Sequence, residues 1–152
     1  MLHYHISPYS LEQHVWQIRL RFSQAETADI SFSLPNWVPG SYMIREFARH
    51  IVHLQAFCNG EPAALSQCDK NTWQITATPG EWTIEYRVYA FDLSVRGAWL
   101  TRERGFFDGA CVLLRHNQRQ HEPCTLHIGS LPAAWDIATS LNAGSAAHTF
   151  QA

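Results

Sequence analysis

Apolar and polar residues alternate along most of the chain, with the period of a β-strand that has one buried face. Between residues 14 and 22 this alternation places four large apolar side chains on one face and mainly arginine and glutamine on the other. Similar alternation predicts strands at residues 30–34, 52–56, 73–75 and 82–90, the last being the longest. Shorter apolar pairs, Leu126 with Ile128 and Trp135 with Ile137, predict two more.

Turn residues separate these segments about every 8 to 12 residues, which is the spacing of antiparallel sandwiches. Asn59-Gly60 and Pro79-Gly80 are two such turns, and Asp108-Gly109 predicts a tight hairpin turn before an apolar strand at 110–114. The only helical signal is at Ser41, which we expect to cap one short turn ending at Phe47. The predicted fold is all-β, an antiparallel sandwich or saddle-like sheet with at most one short helix.

Composition and charge restrict the domain size, the partners and the cellular location that we expect for this chain. A chain of 152 residues with 46% apolar residues is sufficient for one domain with a packed core, spanning residues 1–152. The net charge of -2, without a basic stripe, argues against nucleic acid as a partner. No apolar run approaches the roughly 20 residues of a membrane helix, and no leader pattern opens the chain, so we expect a cytoplasmic protein. Without C-x-x-C spacing, the four cysteines are expected to be free thiols.

Motifs for catalysis are missing from the sequence. It contains no H-E-x-x-H, no G-x-S-x-G and no glycine-rich phosphate loop. His3 and His5 share one face of a strand and would need a third ligand nearby to bind a metal. We therefore predict no catalytic residue, no metal ligand and no cofactor in this chain.

Two segments require more than a structural explanation. Residues 34–50 combine two prolines, a Pro-Gly turn and several aromatic residues, which predicts a rigid loop that either closes one end of the sandwich or faces a partner. Residues 92–109 form a long loop rich in arginine and aromatic residues, which is either a domain interface or a solvated loop, since long loops are commonly functional or contact another domain. The loose stretch at 143–147, followed by a strand that restarts at His148, suggests that the chain is a fragment of a longer protein.

These segments carry a family resemblance. The run P-N-W-V-P-G-S-Y-M-I-R-E-F-A-R, residues 35–49, resembles a signature in the amino-terminal domain of the glycyl aminopeptidase family of metallopeptidases. The run R-G-F-F-D-G-A-C-V-L-L, residues 104–114, resembles a second stretch of that domain. The resemblance implies a parent protein in which a thermolysin-like domain bearing H-E-x-x-H and zinc, and then a PDZ domain, follow this one. No zinc ligand can be assigned to this chain.

The resemblance implies a non-catalytic domain that packs on the catalytic domain of the same polypeptide, helps to shape its cleft and meets the peptide substrate indirectly. The residues expected to face that interface or the substrate are Asn36, Trp37, Gly40, Tyr42, Arg45, Arg102, Arg104, Phe107 and Asp108. Two alternatives remain at this point. One is a carbohydrate-binding sandwich that would use Trp37, Trp99 or Trp135, and the other is a module that binds an unrelated protein.

Overall fold

The computed structural model describes residues 1–152 and contains fourteen strands, one four-residue α-helix and two short 3-10 helices. The strands are β1 Leu2–Ser10, β2 Val15–Gln24, β3 Ala28–Ser33, β4 Ile51–Cys58, β5 Glu61–Ala63, β6 Ser66–Asp69, β7 Thr72–Ala77, β8 Gly80–Tyr89, β9 Ala98–Leu100, β10 Gly105–Phe107, β11 Arg115–His116, β12 Cys124–Ile128, β13 Asn142–Ala143 and β14 Thr149–Gln151. Helix α1 is Gly109–Val112, and the 3-10 helices are Phe47–His50 and Asn117–Arg119. None of these helices is long and apolar enough to cross a membrane.

The strands form two main sheets and one small hairpin. The large sheet has eight strands in the order β13-β14-β12-β1-β2-β8-β4-β5, and the small sheet has four in the order β11-β3-β7-β6. Strands β9 and β10 pair only with each other. Every neighbouring pair is antiparallel except β1 with β12, which is parallel. The predicted all-β, mainly antiparallel fold class is therefore confirmed.

The core forms where the alternating apolar faces of the strands meet. On β2 and β8 the register places Ile18 opposite Tyr86 and Leu20 opposite Ile84, and all four side chains are fully buried. The two sheets meet through Phe22 and Phe32, whose ring centroids are 5.9 Å apart. Because side chains on a strand alternate between faces, the period-two pattern of the sequence determines which ones enter this core.

Strand β4 departs from the predicted alternation. The sequence pattern predicts that Val52, Leu54 and Ala56 share a buried face, yet Val52 is exposed and only Ala56 is fully buried. The pairing with β8 shifts register between Val52 and Gln55, and His53 has a φ of 53°. This bulge inserts an unpaired residue, so side chains on its two sides no longer alternate in phase.

Two strand predictions in the second half of the chain are wrong. Asp108 does not start a hairpin turn: its Oδ1 accepts a hydrogen bond from the Ala110 backbone at 2.9 Å, and Asp108 is the N-cap of α1. Residues 110–114 consequently form a helical turn and a short extended segment in place of a strand. Trp135 and Ile137 pack against the core without belonging to any strand.

Two tyrosine hydroxyls hold this segment on the large sheet. The buried Tyr86 hydroxyl donates to the Val112 carbonyl at 2.8 Å and accepts from the Leu114 amide at 2.9 Å. The Tyr4 hydroxyl donates to the Leu114 carbonyl at 2.8 Å. Burial raises the pKa of both phenols well above the ordinary value, so both remain neutral donors. These hydrogen bonds fix the segment that bears Asp108 and Cys111 on the large sheet.

Candidate functional site

The loop between β3 and the 3-10 helix Phe47–His50 is organised around the buried side chain of Ser41. The Ser41 hydroxyl donates to the Met43 carbonyl at 2.8 Å and accepts from the Arg45 Nε at 3.2 Å. The Trp37 indole N–H donates to the Ser41 carbonyl at 2.9 Å, and the Arg45 amide donates to the Asn36 carbonyl at 2.6 Å. The expected helical turn from Ser41 to Phe47 is wrong, because Ser41 bonds within the loop and helical turns begin only at Phe47.

This bonding turns three consecutive apolar side chains outward. Tyr42 is fully exposed, and Met43 and Ile44 are 62% and 65% exposed. They lie on the part of the loop that is bonded around Ser41, so the loop conformation itself exposes them. The sequence resemblance included Tyr42 among the candidate residues, whereas Met43 and Ile44 were missed.

The second loop, between β8 and β9, also presents apolar side chains. Leu93 and Val95 are exposed, and the turn that carries them closes with a bond from the Gly97 amide to the Ser94 carbonyl at 3.2 Å. A Cβ on Gly97 would lie 2.7 Å from Oδ2 of Asp92 and 3.0 Å from its carbonyl, so a larger residue here would require the Asp92 side chain to move. Neither Leu93 nor Val95 was among the predicted residues.

The two loops lie close to each other, and the second loop bonds to the α1 segment. Nη2 of Arg96 lies 3.6 Å from the position that a Cβ on Gly40 would occupy, and Gly40 has a φ of 83°. The Cys111 thiol donates to the Arg96 carbonyl at 3.3 Å, and the Asp108 amide donates to the Gly97 carbonyl at 3.1 Å. Predicted residues Gly40 and Asp108 therefore belong to one connected unit with the second loop.

The electrostatics of this unit support the same connection. Burial raises the pKa of the Cys111 thiol to about 12, and the Asp108 and Asp92 carboxylates act in the same direction. The charge of the Arg45 guanidinium acts in the opposite direction. Cys111 is thus a protonated packing residue here, which gives it no nucleophilic character.

The exposed apolar side chains of the two loops are called the loop surface below. The loop surface consists of Trp37, Tyr42, Met43, Ile44, Leu93 and Val95. Beside it, a cavity of about 230 Å³ lies between the 3-10 helix Phe47–His50 and the end of β8. Burial, followed by the charge of Arg49, lowers the pKa of His50 in this cavity.

Three predicted residues belong to other parts of the structure. Arg102 and Arg104 border an open depression of about 450 Å³ at the β9–β10 hairpin, where Arg102 pairs with Glu12 at 2.7 Å. Phe107 packs edge-to-face on Trp16, with ring centroids 5.7 Å apart. The hairpin continues the second loop, but its own arginines do not bond to the first loop.

Metal-ligating side chains do not gather into a site. His5 and His127 stack with ring centroids 5.0 Å apart, and Nδ1 of His3 is 2.8 Å from the Thr125 hydroxyl. No group of three or more histidine, cysteine, aspartate or glutamate side chains has the spacing that a metal requires. The four cysteines are free.

Comparison with known proteins gives a consistent result. Residues 3–152 match the family described as the peptidase M61 N-terminal domain. The solved structure of an aminopeptidase N family protein from Idiomarina loihiensis superposes with a TM-score of 0.92 at 36% identity, over 100% of this chain and 27% of that one. An M1 zinc metallopeptidase from Deinococcus radiodurans aligns with a TM-score of 0.44 at 11% identity, over 99% of this chain and 37% of that one. No curated protein matches the sequence.

Proposed function

Because the chain belongs to the peptidase M61 N-terminal domain family, we propose that it is the non-catalytic amino-terminal domain of a zinc-dependent aminopeptidase. The chain spans 27% of the length of the Idiomarina structure. The zinc site and the catalytic residues then belong to polypeptide outside these 152 residues. The finer assignment to the glycyl aminopeptidases, with a PDZ domain in the parent, rests on the run at residues 35–49 and is part of the proposal.

In this proposal the loop surface packs on the catalytic domain. The observation that supports it is the set of exposed apolar side chains on two hydrogen-bonded loops. Several large apolar side chains exposed on neighbouring loops are a feature of interaction sites. Tyrosine, tryptophan and methionine are also the residue types enriched in the cores of interfaces. A loop bonded around Ser41 loses little conformational entropy on binding, because its hydrogen bonds already hold it in one conformation.

The catalytic contribution of such a domain is positioning. A peptidase must hold its substrate in register before a zinc-bound water attacks, and a rigid wall beside the zinc site restricts the poses of the peptide. We propose that the loop containing Asn36, Gly40 and Arg45 forms part of that wall. Arg102, Arg104 and Phe107 remain predicted contacts of the interface or the substrate.

The experiment uses the protein encoded by the complete gene. We expect Tyr42→Ala to lower kcat/KM for peptide substrates by about tenfold or more, because loss of the contact lets the wall shift. Tyr9→Ala is the matched control, since Tyr9 is also exposed but packs on Arg87 of the large sheet. Equal activity of both variants and the unchanged enzyme would contradict the proposal, as would a gene product that lacks H-E-x-x-H.

Carbohydrate binding is a second candidate, favoured by one observation. Phe91 is half-exposed and stacks on Trp99 with ring centroids 4.5 Å apart, and the tilted ring of His14 lies 4.1 Å from Phe91. The stack borders the depression that contains the charged side chains of Arg104 and Glu103. Glycan binding by the 152-residue chain that disappears in Trp99→Ala would favour this function over the first.

A further inference from the structure

A second apolar feature lies away from the loop surface. A groove of about 550 Å³ runs between the large sheet, the β9–β10 hairpin and the irregular segment 131–141. Six side chains that define it are Trp16, Phe106, Leu131, Trp135, Ile137 and Leu141. Twelve of its seventeen lining residues are apolar, and Asp136 is the only one with a charged side chain. An occupant must therefore be mainly apolar.

The walls of the groove are packed against the core to different extents. A Cβ on Gly105 would lie 2.6 Å from Cζ2 of Trp16, so the hairpin already presses against that ring. Leu131, Trp135 and Ile137 are only partly buried against the core. The segment that carries them has no strand partner, so it forms one side of the groove without closing it.

The backbone at Ala152 lies at the groove. Ala152 lines the groove, and its backbone is fixed by two hydrogen bonds with Cys124: the Ala152 amide donates at 3.1 Å and the Cys124 amide at 2.9 Å. Strand β14 therefore directs the backbone at Ala152 to the groove. The Idiomarina protein is 36% identical over the matched region, and that region makes up 27% of the length of the Idiomarina chain. In a longer protein of this family, polypeptide beyond residue 152 emerges beside the groove.

We infer that the segment directly following residue 152 in such a protein places apolar side chains in this groove. Burial of the groove by this segment then holds the amino-terminal domain at the point where the polypeptide leaves it. This contact is additional to any contact that the loop surface makes. The inference rests on family membership, and it stands whether or not the loop surface contacts the catalytic domain. It assigns segment 131–141 the role of one wall of an interdomain joint.

Hydrogen exchange tests the inference by comparing the 152-residue chain with the protein encoded by the complete gene. We expect amides in segment 131–141, including the Trp135 amide that bonds to the Pro132 carbonyl at 3.0 Å, to exchange about tenfold more slowly in the longer protein. Ile137→Ser in the longer protein should restore fast exchange there, while Tyr42→Ala should leave the protection intact.

Equal exchange of segment 131–141 in the two proteins would overturn the inference, as would a gene that ends at codon 152. If Ile137→Ser prevents folding, Leu141→Ser serves in its place, and the comparison of the two unaltered proteins already decides the outcome. Loss of protection in Tyr42→Ala would also contradict the inference, because the groove would then depend on the loop surface. The kinetic effect of Tyr42→Ala tests the proposed function independently.

Discussion

Replacement of His116 by leucine should stabilise the protein. His116 is 1% exposed and lies edge-on to Phe22 and Phe32, with ring centroids 5.0 and 5.3 Å away. Neither of its ring nitrogens has a hydrogen-bond partner. A buried polar group without a partner costs about 1–3 kcal/mol in desolvation. Leucine avoids that cost at both ring nitrogens but loses two edge-to-face pairs of about 0.5–1.5 kcal/mol each, so we expect a net gain of about 1–2 kcal/mol.

The pH dependence of that gain provides a second quantity. Burial, assisted by the charge of Arg119, lowers the pKa of His116 from 6.5 to about 4. The unfolded chain therefore takes up a proton at this side chain before the folded chain does. The difference in pKa makes its full contribution to the free energy of unfolding above about pH 6.5. That contribution is lost as the pH falls towards 4. This linkage corresponds to roughly 3 kcal/mol in total, of which about 2 kcal/mol is lost between about pH 7.5 and pH 5.

Urea unfolding of the 152-residue chain at these two pH values measures both quantities. The advantage of His116→Leu over the unaltered chain should grow by about 2 kcal/mol at the lower pH, because only the unaltered chain has this linkage. His121→Leu is the matched control, since His121 is exposed. A destabilised His116→Leu variant, or an advantage independent of pH, would refute the reasoning and show that the imidazole is paired or already charged in the folded protein.

Two further substitutions test the packing that supports the loops and the groove. Tyr86→Phe should lower the free energy of unfolding by about 2 kcal/mol or more, because it leaves the Val112 carbonyl and the Leu114 amide unpaired. Tyr4→Phe loses one hydrogen bond and should lower the free energy of unfolding by about 1 kcal/mol in the same denaturation assay. Gly105→Ala should cost about 1–3 kcal/mol, since the added Cβ meets the rigid Trp16 ring. An unchanged melting temperature for Gly105→Ala would show that the hairpin moves away from Trp16 freely.

The sequence pattern predicted the strands whose partners are also regular strands. Alternation from Trp16 to Phe22 and from Trp82 to Val88 was sufficient, because both segments are buried on one face by the same core. It failed where a contact distant in sequence determines the backbone. The Asp-Gly pair at 108–109 suits a hairpin turn and a helix N-cap equally well. The helix forms where the Tyr86 hydroxyl bonds to the Val112 carbonyl and the Leu114 amide. No local sequence pattern predicts those two hydrogen bonds.

The candidate site shows the same limit. The proline-rich run at 35–49 predicted a rigid loop, and the bonds around Ser41 agree with that expectation. The contact of Arg96 with Gly40 joins segments that are far apart in sequence, so the sequence did not connect them. Exposed Met43, Ile44, Leu93 and Val95 were missed because apolar residues in a loop resemble core residues until the backbone shows which way they point. An apolar run outside any period-two pattern was the one available signal.

We expect the loop surface to be buried against another domain of the same protein. The sequence has two methionines, and Met1 and Met43 are 60% and 62% exposed, so Met1 is an internal reference for Met43. Both should form sulfoxides at similar rates when the 152-residue chain is treated with dilute peroxide and followed by mass spectrometry. In the protein encoded by the complete gene, oxidation of Met43 should slow by about fivefold or more relative to Met1. Equal oxidation of the two methionines in that protein would contradict the account.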